Sequence, residues 1–403
     1  MSTPTLPADQ STETAESADS NEPISARLLS SVTNKAWKTV QLSPDDSLFP
    51  RLERSIVDIL QCQNLIVLCG LGTSLCVKGS DDRPLSPTMA ILWGEAAAMP
   101  EFAGVPEKVT YPAGLNDIEL LLSYCQLSEI FRPDPAVRQF IQKTEALIVR
   151  RCRFVTPTLN LPCHQSFLLK AARRSTRLPR MKLFTTNYDL CFEAAASSAR
   201  FVVVDGFSHT QPQEFDGSHF DYDLVRRAPD RETPDYIPNV FHLYKMHGSV
   251  DWALSEREAQ IRREASPAEP HLIYPRHTKY QSSYDQPFLE MMSRLQIALR
   301  QPNTGLLIIG FGFNDFHITQ PLMAAVDSNA SLKCMIVAPN LETQAANNES
   351  VARLSALVKQ GDLRISMLSS TFEDFVPIVP DLVAKTEDEE HRTRIKIAST
   401  RSS

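Results

Sequence analysis

No two of the eight cysteines form a Cys-x-x-Cys pair; Cys62, Cys69, Cys76, Cys125, Cys152, Cys163, Cys191 and Cys334 lie scattered. Several sit in apolar segments such as "LIVLCG" and "LKCMIVAP". This spacing argues against a structural zinc site and reads as buried free thiols in a reducing compartment. Long apolar runs are missing too, and the N-terminus lacks a basic-then-apolar leader pattern. The expectation is a cytoplasmic chain with no membrane association. Positive charge is not in excess: 41 Lys and Arg against 48 Asp and Glu leave a net charge of −7. That gives no basis for direct nucleic-acid binding. Lys and Arg are absent from the first 26 residues, which also hold almost nothing large and apolar. Such a segment cannot offset its ordering entropy. Residues 1–48 are therefore expected to be a disordered or linker tail, and the charge-rich 381–403 a second polar tail. No internal repeat is visible.

What is present is ordinary globular material, 42% hydrophobic and 22% charged over 403 residues. Continuous apolar runs recur: "NLIVLC" (64–69), "MKLFTT" (181–186), "RFVVVD" (200–205), "VFHLYKM" (240–246), "TGLLIIGFG" (304–312) and "LKCMIVAP" (332–339). Runs without alternation suit strands covered on both faces, as in a parallel sheet. Helical patterns lie between several of them, for example "RLERSIVDILQ" and "DFHITQPLMAAVD". The expected fold class is α/β: a doubly wound, mostly parallel Rossmann-like sheet over 49–380. Residues 85–178 break the rhythm with four helix-like segments and read as a helical insertion. Residues 206–238, rich in Asp, Pro, His and aromatics, read as a functional or mobile loop.

Four motifs stand at the carboxyl ends of these strands, where open α/β sheets bind ligands. "LCGLGTSL" (68–75) offers Gly70 and Gly72 for close approach to a diphosphate, with Ser74 at an expected helix start. Leu75 occupies the place of a third fingerprint glycine, so the dinucleotide pattern is incomplete. "TTNYD" (185–189) brings Thr186, Asn187 and Asp189, groups suited to sugar hydroxyls and an amide. "LYKMHGSVDW" (243–252) ends a strand at His247, a side chain that titrates near neutrality. "GFGFNDFHI" (310–318) supplies Gly310, Gly312 and Asn314 for an adenosine end. Each has a structural alternative as a tight turn, a helix cap or a satisfied histidine. Together they match what holding a dinucleotide across a sheet edge demands.

"GLGTS", "TTNYD", "KMHGSVDW", "HLIYP" and "GFGFND" resemble, in order and context, the sirtuin-like family. The likeness spans roughly residues 50 to 380 and is strongest to the bacterial antiphage branch, particularly the sirtuin-like subunit of the HerA-associated Nezha system. The resemblance implies a sirtuin-like fold and NAD as substrate, with hydrolysis to nicotinamide and ADP-ribose. It implies that Asn187 and His247 are catalytic and that Asp189 recognises the carboxamide. Gly70, Gly72 and Ser74 match the phosphate turn, with Thr186 beside Asn187; Gly310, Gly312 and Asn314 match the adenosine turn. It further implies a HerA-like ATPase partner, a homo-oligomer and no metal. The two Cys-x-x-Cys pairs of histone-deacetylating sirtuins are missing, and Tyr188 replaces their usual aliphatic residue. Protein deacylation, ADP-ribosyl transfer and a non-catalytic NAD- or ADP-ribose-sensing module are the competing readings.

Overall fold

Nine strands form one sheet in the computed structural model, which describes residues 24–227, 234–255, 260–275 and 285–383. They are β1 (Ser25–Leu29), β2 (Lys38–Gln41), β3 (Asn64–Cys69), β4 (Lys182–Thr185) and β5 (Val202–Val204). The chain continues through β6 (Val240–Lys245), β7 (Thr304–Ile309), β8 (Lys333–Val337) and β9 (Ile365–Ser369). The order across the sheet is β2-β1-β9-β8-β7-β3-β4-β6-β5. Pairing is parallel from β9 through to β5; β1 and β2 close one edge antiparallel.

Successive residues of each central strand face opposite layers, and both layers are apolar. Ile66, Leu68, Leu306 and Ile308 enter one core with helices α7 (Phe288–Leu299), α8 (Phe316–Ser328) and α9 (Glu349–Gln360). Leu65, Val67, Cys69, Leu307 and Ile309 enter the other with α1 (Phe49–Leu60), α5 (Pro162–Ala171), α6 (Cys191–Ser198) and α10 (Phe372–Ile378). This two-sided burial is why the strands read as unbroken apolar runs. Each fully buried Leu or Ile contributes about 1.5–3 kcal/mol. The fold is the expected doubly wound, mostly parallel Rossmann-like α/β sheet.

The helical insertion forms α2 (Met89–Ala97), α3 (Ile118–Phe131) and α4 (Pro135–Cys152) around a third core of Leu92, Leu121, Leu122, Phe140 and Ile148. Asp117 and Asp134 cap α3 and α4 by accepting from the backbone N–H of Leu120 and Ala136. The last helix expected in the insertion, α5, packs on the sheet instead. No helix among the described residues is long and apolar enough to cross a membrane.

Two sequence expectations are corrected. Residues 25–48 are not tail: β1 and β2 extend the sheet, burying Leu28, Leu29 and Val40. Their few apolar residues gain stability from the β9 edge, which local composition cannot show. The turn after β3 is not a helix start; it makes one 3₁₀ turn, Leu71–Thr73, and the next helix is α2. Within the described part of 206–238, Phe207, Phe215 and Phe220 are buried against the sheet side while Tyr222, Val225 and Tyr236 are exposed. Phe207 and Phe215 stand 5.5 and 6.2 Å from Trp252, with the Arg263 guanidinium 4.4 Å over Phe207. At the C-terminal end Arg173 donates to Asp381 and to the Val383 carbonyl. Residues 1–23 and 384–403 of the two expected tails lie outside the described residues.

Candidate active site at the strand ends

Register places the motifs on one line. Ile309 pairs with Cys69 and Val337, Cys69 with Thr185, and Thr185 with Lys245. The ladder runs one residue further through Gly70, Thr186, Met246 and Gly310, whose backbone N–H groups donate to the neighbouring strand at 2.8–3.1 Å. Asn187 and His247 thus each lie two residues past paired positions. Strand order turns at β3, with β4 and β6 on one side and β7 and β8 on the other, which defines the crevice of such a sheet.

A cavity of about 360 Å³ opens there. Its lining includes Gly70, Gly72, Thr186, Asn187, Asp189, His247, Gly310, Gly312 and Asn314, nine of the ten residues expected from sequence. Helices α2, α3 and α4 close one side through Leu92, Glu119, Ile148 and Cys152. Burial pushes the Cys152 thiol up to about 12, so it remains protonated and inert. The described lining carries Glu119, Asp189 and Asp315 but no Lys or Arg. A larger depression of about 670 Å³ between α7 and α8 holds none of the ten expected site residues.

The glycines have a reason the sequence does not disclose. Gly310 adopts φ +62°, and a Cβ on Gly72 would stand 2.5 Å from the Gly310 Cα. The two turns are in backbone contact, with the Gly72 N–H donating to the Gly310 carbonyl at 3.0 Å. Only glycine permits both the left-handed backbone and the approach.

Asn187 is held by the β3 turn. Its Nδ2 donates to the Gly70 carbonyl (3.0 Å), Thr73 Oγ1 (3.2 Å) and Ser74 Oγ (2.8 Å). The Gly70 carbonyl can only accept, which fixes the nitrogen end there and leaves Oδ1 as the polar atom for a ligand. Ser74, the tenth expected residue, is fully buried and outside the lining. Its hydroxyl donates to Asp189 Oδ2 at 2.7 Å while accepting from Asn187. Asp189 Oδ1 accepts from the Cys191 N–H at 3.0 Å, and the Asp189 carbonyl accepts from the buried Lys245 ammonium. The Thr185 hydroxyl accepts from the Asn187 N–H at 3.1 Å.

His247 is pinned by the segment 271–273. Gly248, at φ +84°, brings its Cα against the His271 carbonyl, where a Cβ would stand 2.3 Å away. The Ile273 N–H donates to the His247 carbonyl at 2.9 Å. Tyr188 joins the two motifs: its hydroxyl donates to the Ile273 carbonyl at 2.6 Å and its carbonyl accepts from the Val250 N–H at 3.1 Å. Burial raises the Tyr188 phenol well above its ordinary value, keeping it a donor.

Sequence reasoning missed His317. Its Nε2 lies 3.0 Å from His247 Nε2, and both rings are buried. Together with Asp315 they form a group whose ligand-type atoms all lie within 4.8 Å of one another. The two histidines are 70 residues apart, and their contact becomes visible only in three dimensions. "DFHI" does place Asp315 and His317 beside the glycine turn, and that was the available signal.

A model of the SIR2-like domain family matches residues 182–357, from β4 into α9. Among curated proteins none matches the chain. A Sir2 enzyme of known structure aligns over 76% of this chain and 99% of its own, at 11% identity and a TM-score of 0.35. A Sir2 homologue solved with ADP-ribose aligns over 76% and 96%, at 12% identity and a TM-score of 0.37. A cytosolic nucleotidase bound to cytidine aligns at 10% identity and a TM-score of 0.24. Scores this low bear on neither the site nor the activity.

Proposed function

We propose that this chain hydrolyses NAD⁺ to nicotinamide and ADP-ribose. The observation that carries the reading is the convergence of Asn187 and His247 on one cavity floored by the Gly70–Gly72 and Gly310–Gly312 turns. The SIR2-like domain match over 182–357 supports an NAD-related activity. The ribosyl C1′–N bond breaks, and its electron pair neutralises the nicotinamide cation. Water then forms the new C1′–O bond and gives its proton to His247, which releases it to solvent. Asn187 Oδ1 accepts from the ribose or the water and orients them. Glu119, Asp189 and Asp315 suit the positive charge of nicotinamide and of the oxocarbenium-like transition state. With no Lys or Arg in the described lining, the diphosphate rests on backbone N–H groups of the two turns other than those of Gly70, Gly72 and Gly310, which donate to carbonyls.

By the sequence resemblance, the activity serves NAD depletion in antiphage defence, in an oligomer docked on a HerA-like ATPase in the cytoplasm. The test is nicotinamide release from NAD⁺ by the full chain, alone and with such an ATPase. Release that Asn187→Ala and His247→Ala each abolish supports the reading; release unchanged in both removes the site. Turnover that requires an acetylated peptide or another acceptor would mark a deacylase or ADP-ribosyltransferase. Tight binding without turnover in either setting would mark a sensing module.

A further inference from the structure

We infer that His247, Asp315 and His317 bind one divalent transition-metal ion of the zinc class, and that the ion holds the site inactive. The inhibitory half rests on the reading of His247 as general base; the binding half does not.

Two imidazole nitrogens facing each other at 3.0 Å need a positive centre between them. A proton serves, with one ring donating and the other accepting. A metal ion serves as well: zinc–nitrogen bonds of about 2.0–2.1 Å set neighbouring ligand nitrogens about 3.0–3.4 Å apart. Asp315 adds a carboxylate oxygen, and one ligand-type atom from each of the three residues lies within 4.8 Å of the other two, giving two neutral ligands and one anionic. His247 and Asp315 line the cavity, so water can complete the coordination.

The ligands are carried on fixed backbone. His247 follows β6 and is clamped at Gly248 and Ile273, while Asp315 and His317 stand at the start of the thirteen-residue α8. Two imidazoles and one carboxylate suit zinc, cobalt or iron; magnesium and calcium prefer all-oxygen sets. Entry of the ion displaces the proton shared by the two rings to solvent. With its Nε2 lone pair on the metal, His247 is fixed and drained of basicity, and it no longer takes a proton from water. Metal occupancy and hydrolysis therefore exclude each other.

The experiment titrates the chelator-stripped full chain with Co²⁺, read by its visible absorption, and with Zn²⁺, read by calorimetry. One ion per chain is expected. His317→Gln and Asp315→Asn should each weaken binding about tenfold or more, while the exposed His209→Ala leaves it unchanged. Two replacements at different ligands guard against a folding defect in either; circular dichroism verifies both. Absence of binding, or binding as tight as that of the unaltered chain in both ligand variants, overturns the site. Loss of binding in Cys76→Ser instead would assign the ion to thiols and overturn it too. In the turnover assay, Zn²⁺ should suppress nicotinamide release and EDTA restore it. Equal rates with and without bound ion overturn the inhibitory half. A chain that never releases nicotinamide refutes the hydrolase reading, while the titration still decides the metal site.

Discussion

Around Asn187 the hydrogen bonds run to a carbonyl and two hydroxyls, partners that do not titrate near neutrality; beside His247 stands a second imidazole at 3.0 Å. Both corners face the same cavity. The asparagine corner is organised before any ligand arrives, because Ser74 links it to Asp189 and Gly70 fixes its amide. The histidine corner is held by its backbone, and its ring meets a second imidazole across one N···N contact. Under the proposed hydrolysis the contrast separates two tasks: Asn187 would hold the sugar in place and His247 would change state during turnover.

Paired substitutions test that division most strongly. Both Asn187→Ala and His247→Ala should lower nicotinamide release by about 10²- to 10⁴-fold. Thermal unfolding should distinguish them. The asparagine variant also loses stability, because Thr73, Ser74 and Gly70 lose a shared partner; the histidine variant stays closer to wild type. Equal destabilisation of the two would break the comparison. The next largest effect is expected from Gly310→Val, where the left-handed backbone and the contact with Gly72 both oppose a side chain. Chemical denaturation should show a loss of about 3 kcal/mol or more, and NAD binding should fall with it. Unchanged stability would mean that the two turns are not in contact.

Acid exposes a limit to the calm of the asparagine side. His164 on α5 is fully buried, neither ring nitrogen has a hydrogen-bond partner among the described residues, and burial lowers its value to about 4. The unfolded chain binds that proton near pH 6.5. The contribution of His164 is thus complete above about pH 6.5 and is lost as pH falls toward 4, by about 3 kcal/mol. Buried His242, also lowered to about 4, acts in the same direction. His164→Leu should shallow the acid limb of stability without abolishing it; an identical limb would remove His164 from the account. The smallest effect is expected from Ser74→Ala, which leaves Asp189 Oδ2 and the Asn187 amide each short of a partner. A loss of about 1–3 kcal/mol is expected in denaturant titration. No loss would show that the asparagine corner does not depend on this hub.

Much of the sheet was legible because burial on both faces removes alternation, and "NLIVLC" or "TGLLIIGFG" then admit little besides a central strand. The edge was not: "SARLL" carries too few apolar residues to be read apart from β9, and "ISMLS" is broken by serines. The site divides in the same way. Asn187 and His247 stand at strand ends, where position alone implies a role. Ser74 and His317 act through contacts spanning 115 and 70 residues, which a linear reading does not reveal. The glycines named from the sequence line the cavity, and Gly72 and Gly310 also meet each other, a contact the sequence does not disclose.

A crystal structure of the full chain with ADP-ribose tests the central claim most directly. The account predicts the terminal ribose between Asn187 Oδ1 and the His247 ring, with the diphosphate along the Gly70–Gly72 and Gly310–Gly312 turns. Nucleotide in the depression between α7 and α8, with the strand-end cavity empty, would contradict it.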